Sequence, residues 1–179
     1  MSSCCGSVCL LVLLGVVLTF GSPVQFISDN LERTHKSIED VLELKALEIG
    51  SKPLFSSVIR SINTSCQRKD DIQLMNVTLD IYMRIFSNIL QHNEHHNTGS
   101  QSLLASLPEE KRSQVTSTLT VLRRETEKVK RHLSHPSHNK EDVLSRLNEI
   151  KVDDPLAQKK ALAEFLEIYH VASTISHRC

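Results

Sequence analysis

The stretch Ile72-Gln73-Leu74-Met75-Asn76-Val77-Thr78-Leu79-Asp80-Ile81-Tyr82-Met83-Arg84-Ile85-Phe86-Ser87-Asn88-Ile89-Leu90 decides the fold class. Its apolar residues Ile72, Met75, Leu79, Tyr82, Phe86 and Ile89 recur at steps of three and four, which is one face of a helix. Leu74, Val77, Ile81 and Ile85 make a second apolar stripe. Only a narrow polar seam remains, formed by Asn76, Asp80, Arg84, Ser87 and Gln91. A helix apolar on most sides is a central helix, and the rest of the chain should cover it.

The flanking segments read as covering helices. Leu31, Ile38, Val41, Leu42 and Lys45 sit on a first helix that Asp29 could cap, with Glu32 three residues on and with Gly50 and Pro53 breaking it. Pro53 can then occupy the first turn of a shorter helix carrying Leu54, Phe55, Val58, Ile59 and Ile62. Beyond the His- and Asn-rich loop 91–100, Ser106 and Glu109 have capping-box spacing before a long helix with Val115, Leu119, Leu122, Val129 and Leu133 buried. Pro136 ends it. A short helix bearing Val143, Leu144, Leu147 and Ile150 can start from Asn139 or Asp142. Asp153-Asp154-Pro155 opens the last helix, with negative charge at the dipole's positive end and proline in the first turn. Six helices and no convincing strand predict an all-α bundle. Aromatics at 4% and the absence of Trp agree with a core of aliphatic helix formers.

The first 21 residues carry no charge, and Val8–Phe20 is apolar apart from Gly15 and Thr19. With Thr19 and Gly21 at small-residue positions, 1–21 reads as a secretory signal peptide, which leaves 22–179 as the helical domain, a chain of about 158 residues. Secretion would remove Cys4, Cys5 and Cys9. Cys66 and Cys179 would remain, separated by 112 residues, and closing that loop stabilises by roughly 4–5 kcal/mol in chain-entropy models. A free C-terminal thiol and pairing between subunits are the alternatives. Asn63-Thr64-Ser65 and Asn76-Val77-Thr78 are N-glycosylation sequons. Asn76 lies on the polar seam, where the helix pattern permits a glycan.

Twenty-one Lys and Arg balance 21 Asp and Glu, and that balance argues against a nucleic-acid binder, which needs a surplus of cations on one face. The nine histidines include two clusters, His92, His95, His96 and His132, His135, His138. Pro136 disrupts the second spacing, and neither cluster has a Cys or a well-placed carboxylate to complete a zinc set, so no metal or cofactor is expected. The acidic pairs Asp70-Asp71, Glu109-Glu110, Glu141-Asp142 and Asp153-Asp154 all sit at helix starts, where the macrodipole accounts for them. The sequence carries no G-x-S-x-G, phosphate-cradling loop or His-Glu-x-x-His. The reading is of a non-enzyme that recognises another protein.

The last helix sharpens that reading. Val152–Ile168 resembles the last helix of the interferon gamma family: Gln158, Lys160, Ala161, Glu164, Phe165 and Ile168 match its pattern, while Ala157 replaces the usual Ile or Val. Upstream, Leu54-Phe55 with Val58-Ile59 resembles the short second helix, Ile72–Phe86 the buried third and Ser137–Ile150 the short fifth. The chain finishes Ile175-Ser176-His177-Arg178-Cys179, without the family's Lys/Arg cluster, and Ala163 stands where mammalian members carry a receptor-contacting His. It is most similar to the tailless fish interferon-gamma-related cytokines.

The resemblance implies a six-helix cytokine bundle, an intertwined homodimer in which C-terminal helices enter the partner's half. A monomeric bundle has the same periodicity, though a mostly apolar central helix is compatible with cover from a second chain. It also implies a secreted ligand of class II receptor chains of the interferon-gamma type, whose kinases phosphorylate a transcription activator in antiviral and macrophage-activating responses, with no membrane insertion. Family contacts fall on the first helix, the following loop and the second helix, here Glu32, His35, Lys36, Glu43, Lys45, Glu48, Ser51 and Lys52. The alternatives are an interleukin-10-class helical cytokine and a secreted helical carrier of an apolar ligand.

Overall fold

The structure, a computed structural model, describes residues 27–64, 68–91, 103–133 and 141–175. Among these residues the chain is all-α, with seven helices and no strand. They are α1 (Asp29–Glu39), α2 (Leu47–Gly50), α3 (Ser56–Thr64), α4 (Arg68–Gln91), α5 (Glu109–His132), α6 (Glu141–Asn148) and α7 (Pro155–Thr174). The predicted signal segment 1–21, Cys66, Cys179 and the loop 92–100 lie outside the described residues.

Local chemistry sets most of the helix starts. Ser28, not Asp29, caps α1: its Oγ accepts from the Leu31 amide at 3.2 Å, while Asp29 and Glu32 place negative charge in the first turn. Asp154 Oδ2 accepts from the Ala157 amide at 2.9 Å, and Pro155 opens α7, as the sequence predicts. The expected Ser106 cap of α5 is absent. Pro108 precedes that helix without a side-chain cap, and Arg112 instead gathers the entering loop, donating to the Leu104 carbonyl (3.2 Å), the Leu107 carbonyl (3.1 Å) and Glu109 (3.1 Å).

The first helix is shorter than its periodicity suggests, and packing explains why. Leu42 and Leu44 are both buried, yet two helical residues so spaced point about 200° apart. Burying both requires the helix to stop. It ends at Glu39, the chain turns through Glu43 in the left-handed region (φ 56°), and the single turn α2 buries Ile49 before Pro53. This added turn makes seven helices of the expected six.

The central helix is α4, packed against α3, α5, α6 and α7; α1 rests on α5 and α7, and α2 on α7. Both predicted stripes of α4 enter the core: Leu74, Met75, Leu79, Ile81, Tyr82, Ile85, Phe86 and Ile89 are buried. A single chain supplies the cover, so burial of α4 needs no second protomer. Every Phe and Tyr among the described residues meets in one aromatic cluster around Phe165. Tyr82 and Phe86 of α4 approach its ring edge-on at 5.8 Å, Tyr169 lies one turn along α7, and Phe55 stacks on Tyr82 at 5.0 Å. The scarce aromatics therefore lock α3, α4 and α7 together. No described helix is long and apolar enough to cross a membrane.

Candidate functional site

The six matched residues of α7 fall on two stripes with different work. Gln158, Ala161, Phe165 and Ile168 point inward and are buried. The Gln158 amide donates to Asn88 Oδ1 at 3.0 Å and to the Val152 carbonyl at 2.9 Å, tying α4 to the turn before α7. The Ala161 carbonyl accepts from the Tyr82 hydroxyl at 2.8 Å. Burial pushes the Tyr82 phenol well above its ordinary value, with Glu164 and Glu167 adding to the effect.

Lys160 and Glu164, one turn apart, form the second stripe and hold the strap between α2 and α3. Lys160 Nζ donates to the Lys52 carbonyl at 3.2 Å. The Glu164 carboxylate accepts from both the Leu54 amide (2.6 Å) and the Phe55 amide (2.8 Å). Desolvation raises the Glu164 pKa, and it outweighs the two amides and Lys160, which pull the other way. These contacts hold residues 52–55, the link between α2 and α3 within the surface that runs from α1 to α3.

That surface presents most of the predicted contact residues. Glu32, Lys36, Glu43, Lys45, Glu48, Ser51 and Lys52 are exposed. Lys45 pairs with Glu39 at 2.6 Å, a hydrogen bond and attraction that raise the lysine pKa, and Glu43 lies 3.9 Å from Lys159 of α7. Ser51 Oγ donates to the Glu48 carbonyl at 3.1 Å.

His35 is the exception: at 1% exposure it belongs to the core and not to the contact surface where the sequence placed it. Its Nε2 lies 2.7 Å from the Leu162 carbonyl, which can only accept, so Nε2 carries the proton. Its ring stacks on Phe165 at 5.9 Å, and its Nδ1 stands 3.6 Å from Glu39, beyond hydrogen-bond reach. His35 shares the buried face of Leu31 and Ile38, a spacing visible in the sequence. Leu47, 92% exposed at the start of α2, was missed as a surface residue; it is the sole large exposed hydrophobic side chain among the described residues.

The sequons divide. Asn63 is exposed near the end of α3. Asn76 is half-buried, and its Nδ2 donates one of its two N–H groups at 2.8 Å to the Leu133 carbonyl where α5 ends. The polar seam of α4 thus faces a neighbouring helix end rather than solvent at this point. His132 is exposed, with Nδ1 2.7 Å from the Lys128 carbonyl, and the other histidines of both clusters lie outside the described residues. No group of metal-ligating side chains occurs among the described residues. Of the acidic pairs, Asp154 is committed to the α7 cap, and Asp70, Asp71, Glu109 and Glu110 occupy the first turns of α4 and α5. Comparison with family models, curated proteins and solved structures returns no match.

Proposed function

We propose that the chain is a secreted cytokine of the interferon-gamma type, binding class II receptor chains through the α1–α3 surface and acting without catalysis. The observation that supports this most is the use of the α7 motif. Each of its six residues has a packing or anchoring task, and Lys160 and Glu164 clamp the strap that completes the surface where the family's receptor contacts fall. A ligand surface of this kind must be held in one shape before binding, since ordering it on contact would cost affinity.

In this reading the homodimer forms by exchange of α6 and α7 between two chains. Exchange would keep every helix contact described above and need no additional apolar surface. Light scattering at micromolar concentration should give twice the protomer mass; a one-protomer mass would remove the dimer from the proposal while leaving the receptor surface in it.

The receptor surface is tested by charge reversal. Lys36→Glu, Lys45→Glu and Lys52→Glu should together weaken binding to an immobilised receptor ectodomain by about tenfold or more, with faster dissociation. Binding unchanged by the triple variant would reject this placement of the site.

A further inference from the structure

A second feature adjoins the α1–α3 surface and shares Lys52 with it: a cleft of about 470 Å³ between the strap 52–54, the end of α6 and the start of α7. Four cations converge on it, Lys52, Arg146, Lys151 and Lys160, from three separate segments of the chain. None of Lys52, Lys151 and Lys160 is ion-paired among the described residues. Two carboxylates, Glu149 and Asp154, also line it, so cations outnumber anions by four to two, and Asp154 Oδ2 is engaged by the Ala157 amide. Like charges gathered in a concavity focus the field and attract anions more strongly than the same charges spread over a convex face. Pro53, Leu54, Ile150 and Ala157 supply apolar surface to the same lining.

From this arrangement we infer that the cleft binds a sugar-sized ring bearing phosphate or sulfate esters. The volume falls in the range of small-molecule sites. A ring face would lie on Leu54 and Ile150, while the ester oxyanions would accept charge-assisted hydrogen bonds from Lys151, Arg146 and the Lys160 ammonium. Lys160 spends one of its three N–H donors on the Lys52 carbonyl and keeps two for a ligand. The inference does not depend on the cytokine reading, because neither receptor binding nor signalling enters it.

Isothermal titration calorimetry on the full purified protein at physiological salt tests it, with inositol hexakisphosphate and sucrose octasulfate as probes and sucrose as the neutral control. Saturable one-to-one binding of a charged probe is expected, and the two arms tell a phosphate ester from a sulfate ester. Lys151→Glu and, separately, Arg146→Glu should each weaken it by about tenfold, the loss of one charge-assisted contact. Lys36→Glu, which removes the same charge from α1, should change it by less than about twofold. Absence of binding by both charged probes, equal binding of sucrose, or equal loss in Lys36→Glu would overturn the proposal. Unchanged thermal melts of the variants would exclude misfolding as the cause of a loss.

Discussion

Replacing Glu164 by Ala isolates the contact on which the shape of the α1–α3 surface rests. The substitution removes the only side chain seen to accept from the Leu54 and Phe55 amides, at 2.6 and 2.8 Å, in a half-buried setting. Each amide left without an acceptor costs about 1–3 kcal/mol if water cannot reach it, and less where it can. Against this, the variant is relieved of holding a desolvated carboxylate, the cause that raises the Glu164 pKa. The two effects oppose, and a net loss of about 1–2 kcal/mol is expected, equivalent to a fall in Tm of about 3–6 °C for a chain of this size. Urea unfolding followed by circular dichroism measures it.

The pH dependence gives a second handle on the same group. Glu164 has a native pKa above the ordinary 4.5, so between those two values the native state binds more protons than the unfolded chain. Its contribution to stability therefore grows as pH falls through the raised native value and is complete below 4.5. Wild type should gain on Glu164→Gln over that window. A Glu164→Ala variant within about 0.3 kcal/mol of wild type, or a gap to Glu164→Gln that does not move with pH, would refute the reasoning.

Three further outcomes follow from the core and the sequons. Tyr82→Phe should cost about 1 kcal/mol, the bond to the Ala161 carbonyl. Because burial holds the native phenol well above 10.0, the unfolded chain loses that proton first, so wild type should lose stability relative to Tyr82→Phe as pH rises past 10.0; parallel alkaline unfolding curves would contradict this. His35→Ala should cost about 2–4 kcal/mol in urea, from a cavity beside Phe165 and the lost bond to the Leu162 carbonyl, whereas an exposed contact residue would cost under about 0.5. Glycopeptide mass spectrometry of protein secreted from eukaryotic cells should find higher glycan occupancy on exposed Asn63 than on Asn76, which is half-buried against the end of α5; equal or higher occupancy at Asn76 would contradict this.

What could be read beforehand was whatever short-range chemistry decides. Asp154 and Pro155 start α7 because a cap and a first-turn proline act within a few residues, and the double stripe of α4 needs only its own period to declare burial. The end of α1 was illegible because Leu42 and Leu44 are both claimed by the core, a demand that comes from tertiary packing rather than from the local sequence. His35 carried a usable signal, its register with Leu31 and Ile38, which its polar character masked. The site was legible only as residues. The spacing of Lys160 and Glu164 places them on one face of α7, but their partners are main-chain groups at Lys52, Leu54 and Phe55 more than 100 positions away. Backbone acceptors and donors carry no residue-type signature, and so neither the clamp nor the cleft beside it could be anticipated.

The central claim is that this chain is a receptor ligand, and signalling tests it most directly. Purified protein applied to cells bearing interferon-gamma-type receptor chains should induce phosphorylation of the transcription activator, and the triple variant Lys36→Glu, Lys45→Glu, Lys52→Glu should fail to do so at the same dose. Receptor-bearing cells that respond no more than receptor-negative cells across a full dose range would contradict the account.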